Sequence, residues 1–179
     1  MSLHFKFIET KIDGLYVIER NLIKDDRGFF SRFFCAEEYK ELGFSKSIKQ
    51  MNHSLTKYKG SIRGMHFQNS PYREKKIVSC IKGKVYDVAV DIRKESPTYL
   101  HWYGQVLSAD KGSSLYIPDG FAHGFQTLTD NCQLLYIHSE FYKPDAEGVL
   151  NAFDSKINIT WPLDVTKMSD RDRNSALID

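Results

Sequence analysis

The sequence predicts an all-β protein, an antiparallel sandwich or barrel, on three observations. Short apolar stretches of strand length recur along the chain between turn residues, and only one short helix is convincing. Several stretches alternate, with polar groups on one face and apolar groups on the other. Aromatic residues are plentiful, with 12 Phe and 10 Tyr in 179 residues, and aromatics favour strands. A barrel with a polar lumen at one end would explain the alternation.

Taken in order, Asp13-Gly14 marks a turn before a strand at 15–18. A second turn at 25–28 precedes the aromatic run Phe29, Phe30, Phe33 and Phe34. The helix is expected at 36–42, with Ala36, Tyr39 and Leu42 on one side and Gly43 as its C-terminal cap. Strands follow at 48–55, 61–68, 75–81, 85–92, 99–107, 114–117 and 133–140. The first of these carries Gln50, Asn52 and Ser54 on one face, and the third groups Lys76, Val78 and Cys80. In 85–92 an apolar face of Tyr86, Val88, Val90 and Ile92 leaves Asp87 pointing the other way. The turn Pro118-Asp119-Gly120 delivers 121–125, and 133–140 aligns Leu134, Tyr136 and His138. The tail, with Trp161-Pro162 and 169–172, reads as irregular. No repeat, low-complexity segment or internal linker is evident, so residues 1–179 read as one domain.

Composition narrows the function. The net charge is +2 with both signs interspersed, which offers no basic stripe for nucleic acid. A few cations gathered in a pocket could still hold a small anion. Residues 1–7 lack the apolar run of a signal peptide, and no stretch is long enough to cross a membrane. Cys35, Cys80 and Cys132 are scattered and odd in number, as expected of reduced thiols in a cytoplasmic protein.

The segment Arg63-Gly64-Met65-His66-Phe67-Gln68 carries the first chemical signal. Read as an extended strand, it puts Gly64, His66 and Gln68 on one face and Met65 and Phe67 on the other. A histidine facing a pocket titrates near neutral pH and suits a general base. Taken singly, His66 reads more readily as a hydrogen-bonded structural residue, Tyr136 as a half-buried strand tyrosine, and Lys76 as a solvated lysine.

Six segments lift the reading: RGMHFQ (63–68), VAVDIRKESPT (88–98), IPDGFAHGF (117–125), DRGF (26–29), QMNHS (50–54) and SDRD (169–172). Over nearly the whole chain they resemble the dTDP-4-dehydrorhamnose 3,5-epimerase family, and along the chain they fall in the family's order. The resemblance implies a cupin, a double-stranded β-helix jelly roll, acting as a homodimer without metal or cofactor. It also implies a nucleotide-diphosphate sugar as substrate, epimerised as its 4-keto-6-deoxy form. By the same resemblance His66 is the base, Tyr136 the proton donor, Lys76 the cation beside the keto oxygen, and Asp172 the carboxylate that orients His66. Asp170 stands close enough that only alignment chooses between the two aspartates. Arg27, Arg63, Gln50, Asn52 and His123 match substrate-contacting positions. Glu147 and Arg171 match the nucleotide end, and Tyr142 matches an aromatic that stacks on the base.

These roles fit the reaction. Hydrogens beside a ketone are acidic, and epimerisation needs a base on one ring face, a donor on the other and a positive group at the enolate oxygen. Asp87 reads as a buried acid supporting a lumen residue, His53 and His138 as structural, and Cys80 and Cys132 as core. There is no His-x-His; His66, His123 and a third histidine are the one zinc set to consider. The chain departs from the family at Ser31-Arg32, where a carboxylate is common, and at Ala152-Phe153-Asp154. Arg32 has only donors and would suit cytosine better than thymine, which keeps a CDP-sugar open. Also open are an epimerase of C3 or C5 alone and a cupin that binds a sugar nucleotide without turning it over.

Overall fold

The strands gather into two facing antiparallel sheets in a computed structural model that describes residues 4–45 and 47–178. Part of the 1–7 stretch read above for a signal peptide lies outside the described residues. The strands are β1 (Phe5–Glu9), β2 (Tyr16–Arg20), β3 (Ile23–Asp25), β4 (Gly28–Phe30), β5 (Gln50–Thr56), β6 (Ile62–Gln68) and β7 (Lys76–Lys82). They continue with β8 (Lys84–Asp91), β9 (Trp102–Ser108), β10 (Ser113–Ile117), β11 (Phe121–Thr127), β12 (Cys132–His138) and β13 (Glu147–Val149). One sheet runs β1-β2-β10-β7-β12-β5, the other β13-β6-β11-β8-β9, and β3 and β4 form a separate hairpin. From β5 to β12 the chain switches sheets at every connection but β8–β9. This is the double-stranded β-helix jelly roll.

The central strands β10 and β11 are covered on both faces and are buried along their whole length. Between the sheets lie Val17, Val78, Val85, Ala89, Leu107, Leu115 and Leu134. Behind the first sheet, Ile18, Ile77, Tyr116 and Ile137 pack on Tyr39, Leu42 and Phe44. Behind the second, Ile62, Met65, Val88, Val90 and Ala122 pack on Ile157 and Ile159, so the tail forms an outer layer. Along the inward face, β7 passes from Cys80 and Val78 to Lys76, and β12 from Leu134 to Tyr136 and His138. The lumen is therefore apolar at one end and polar at the other.

Two readings need correction. The helix expected at 36–42 is a 3-10 turn, Glu38–Leu42, closed by Gly43 in the left-handed conformation (φ 74°). Tyr39 and Leu42 are buried as expected, but Ala36 is exposed and lies before the turn. The tail read as irregular contains the α-helix α1, Asp170–Arg173. Its N-cap is Ser169, whose hydroxyl accepts the Asp172 N–H at 3.1 Å.

Candidate active site

The polar end of the lumen is a cavity of about 560 Å³. One wall comes from the first sheet: Gln50, Asn52 and Ser54 on β5, Lys76 on β7, and Tyr136 and His138 on β12. The other wall comes from the second sheet: Arg63, His66 and Gln68 on β6, and His123 and Phe125 on β11. His66 and Tyr136 thus reach into one cavity from opposite sheets. Glu74, Tyr142 and Glu147 complete the lining.

Simple alternation misplaces β6. His66 lies opposite His123, whereas Arg63 lies opposite Phe125, so β6 carries an extra residue between them. This bulge turns both Arg63 and His66 toward the cavity and buries Gly64 and Met65 on the far side. Gln68 keeps its expected place, but Phe67, expected to face away, also lines the cavity. Gly64 is required at the bulge: its φ is +119°, and a Cβ there would sit 2.6 Å from the Gly124 Cα.

His66 Nε2 lies 2.8 Å from Asp172 Oδ1. An ionised carboxylate only accepts, so Nε2 is the donor to Asp172 and Nδ1 is the ring nitrogen left for other partners. The second Asp172 oxygen accepts the Gly64 N–H at 3.1 Å. Burial raises the Asp172 carboxyl, but the His66 and Gly64 bonds outweigh it and hold it below the usual range. Asp172, not Asp170, therefore meets His66, because α1 turns Asp172 inward and leaves Asp170 exposed.

On the opposite wall the Tyr136 hydroxyl meets Ser54 Oγ at 3.1 Å. Burial pushes the phenol up to about 12, so it is protonated at neutral pH. Its ring stands edge-on to His123, with centroids 6.2 Å apart. His123 Nε2 bonds Asp87 Oδ1 at 2.8 Å, which makes Asp87 the buried support expected of it. Burial dominates the Asp87 carboxyl and raises it despite the His123 and Lys76 charges. Lys76 Nζ lies 2.9 Å from Glu74, and His138 Nδ1 lies 2.7 Å from the other Glu74 oxygen.

At the mouth, the Tyr142 hydroxyl donates to Glu147 at 2.8 Å, and Arg171 pairs with the same carboxylate at 2.6 Å. Arg171 and Asp172 also line an adjoining cleft that shares Arg63 and His66 with the main cavity. Arg27 stands apart. It pairs with Asp25 on the β3–β4 hairpin, its side chain is 85 % exposed, and it lines neither cleft. Arg32 pairs with Glu38 at 3.0 Å and is also outside both.

Glu74 was missed in the sequence, and His138 was read as structural although it lines the cavity. The available signal was phase: Glu74 stands two residues before Lys76 and His138 two after Tyr136. Cys80 and Cys132 are buried core residues, as expected. Among the described residues, no group of three or more His, Cys, Asp or Glu side chains is placed to hold a metal ion, so the zinc set considered above does not assemble.

The fold and site define a jelly-roll protein with a histidine–carboxylate pair facing a partly buried tyrosine and a lysine in one polar cavity. The family model described as dTDP-4-dehydrorhamnose 3,5-epimerase matches residues 9–179. A Shigella flexneri protein of that description is 42% identical over 168 residues, covering 93% of this chain and 92% of its own. The solved dTDP-6-deoxy-D-glucose-3,5-epimerase of Legionella pneumophila, in complex with dTDP-4-keto-L-rhamnose, superposes with a TM-score of 0.93 at 39% identity. That match covers 97% of this chain and 93% of the other. A 3′-monoepimerase of Streptomyces bikiniensis, in complex with dTDP-quinovose, matches with a TM-score of 0.88 at 30% identity, covering 95% and 86%. The chain belongs to the dTDP-4-dehydrorhamnose 3,5-epimerase family.

Proposed function

We propose that the protein epimerises C3 and C5 of a dTDP-linked 4-keto-6-deoxyhexose, converting dTDP-4-dehydro-6-deoxy-D-glucose to dTDP-4-dehydro-L-rhamnose. The observation that carries this reading is the placement of His66 and Tyr136 on opposite walls of one cavity. A binding protein has no need of a base and an acid on opposite faces of a sugar ring.

In this reading His66 Nδ1 takes the proton from the carbon beside the ketone, and the C–H electron pair moves to O4 as an enolate. Asp172 stabilises the imidazolium, and the Lys76 ammonium holds the enolate oxygen. Tyr136 then protonates the carbon from the other face, and solvent restores both groups. Arg63 grips the diphosphate with its planar fork. Gln50, Asn52 and His123 orient the sugar. Tyr142 stacks on the base, with Glu147 and Arg171 beside it.

Residues 1–179 act as one domain in this proposal, since both sheets close on one core. The working unit is a homodimer. Two features support that: the β3–β4 hairpin exposes Ile23, Phe29 and Phe30, and Arg27 on it does not line its own cavity. Arg27 would serve the partner's substrate. The site of action is cytoplasmic. Cys35, Cys80 and Cys132 are free, and among the described residues no helix is long and apolar enough to cross a membrane. Arg32 is held by Glu38, which leaves thymine as the preferred base over cytosine.

A second reading, epimerisation at C3 alone, is favoured by the likeness to the Streptomyces bikiniensis monoepimerase. Both are tested by incubating the protein with dTDP-4-dehydro-6-deoxy-D-glucose and reading ring-proton couplings by NMR. Inversion at both carbons supports the main reading, inversion at C3 alone the second, and an unchanged sugar overturns both.

A further inference from the structure

Lys76, on the first-sheet wall, is 8 % exposed. An ammonium so deep is costly unless it is paired. Its acceptor is Glu74 at 2.9 Å, itself nearly buried, which leaves two further N–H bonds of the ammonium for the cavity. The second Glu74 oxygen is held by His138 at 2.7 Å, so the carboxylate is fixed at both ends. His138 in turn has Asn52 at 3.4 Å from its other nitrogen and the Tyr136 ring stacked on its face at 6.1 Å. Burial raises the Glu74 carboxyl, but the His138 bond and the Lys76 charge outweigh it and keep it ionised.

We infer that Glu74, clamped from behind by His138, is a positioning residue that fixes Lys76 so its free N–H bonds meet the ketone oxygen as that oxygen gains charge. The inference rests on the epimerase reading. A lysine has four rotatable side-chain bonds and is a poor fixed dipole unless one N–H is tied down. Preorganised donors stabilise a developing oxyanion because they need no rearrangement when the charge appears. Glu74 supplies that tie: its two oxygens are taken by Lys76 and His138, so in this inference it acts through Lys76.

The test is a double-substitution cycle on the full chain, read as position-resolved deuterium incorporation into dTDP-4-dehydro-6-deoxy-D-glucose. Glu74→Gln is expected to lower kcat about 10- to 100-fold while KM and dTDP affinity stay within about twofold. In a Lys76→Gln background the same change should cost less than about twofold, because the group it positions is gone. Should Glu74→Gln fail to fold, Glu74→Asp is read the same way, since it keeps the charge but loses the reach. Wild-type kcat in Glu74→Gln, an effect on KM alone, or an equal loss in both backgrounds overturns the inference. A wild-type protein that exchanges no proton at all overturns the epimerase reading instead.

Discussion

Replacing Asp172 with asparagine separates orientation of the base from binding. Each Asp172 oxygen now accepts one bond, from His66 Nε2 at 2.8 Å and from the Gly64 N–H at 3.1 Å. Asparagine has one acceptor and one donor group, so it cannot serve both. If its oxygen faces His66, its NH2 opposes the Gly64 N–H in a buried place, at a cost of about 1–3 kcal/mol in stability. If it turns over, it donates to Nε2 and drives the ring proton to Nδ1, the nitrogen that must be free. In either arrangement the charge that stabilises the imidazolium is gone. Losing a positioned general base costs about 10²- to 10⁴-fold in rate, or about 3–5 kcal/mol of barrier. Asp172→Asn should show that loss in kcat, with dTDP affinity by calorimetry within about twofold of wild type. A folded Asp172→Asn protein with wild-type kcat, or one that fails only through KM, would refute the role given to this pair.

Tyr136→Phe should leave proton abstraction by His66 intact and slow inversion, so solvent exchange outruns formation of the inverted sugar; equal loss of both would point to a binding role. Gly64→Ala should cost about 2–5 kcal/mol in denaturant melts, from strain at positive φ and a collision with Gly124, and a melt within about 0.5 kcal/mol of wild type would contradict the tight approach of β6 to β11. Asp91 is buried and accepts bonds from Arg93, Ser96 and Thr98. Burial raises its carboxyl, but those bonds outweigh it and bring it down to about 2. A depressed carboxyl stabilises the fold above its unfolded value and loses that contribution as pH falls through the folded one. Asp91→Asn should therefore cost on the order of 1–2 kcal/mol above about pH 4, shrinking toward pH 2, and a cost independent of pH would count against it.

Many strand positions and inward faces were legible in the sequence because alternation encodes them directly. Lys76, Val78 and Cys80 share one face of β7, and Tyr86, Val88 and Val90 share the outer face of β8, with Ile92 just beyond it packed on the same cluster. Asp87 could be read as a buried support because it breaks the apolar pattern of its strand. The bulge in β6 was not legible, since an extra residue changes the phase without changing composition, and it is what brings Arg63 beside His66. The short α1 helix was hidden for a different reason: one turn shows no period, although Ser169 with Asp172 three residues later is a capping signal. Glu74 belongs to a pair whose members lie 64 residues apart, and nothing local joins it to His138.

The central claim, that His66 removes a proton beside a ketone, is tested most directly by deuterium wash-in. dTDP-4-dehydro-6-deoxy-D-glucose in heavy water with wild-type protein should gain deuterium at C3 and C5. His66→Ala should lose about 10²- to 10⁴-fold of that rate while still binding dTDP through Arg63 and Tyr142. Wash-in at the wild-type rate by a folded His66→Ala protein would contradict the account.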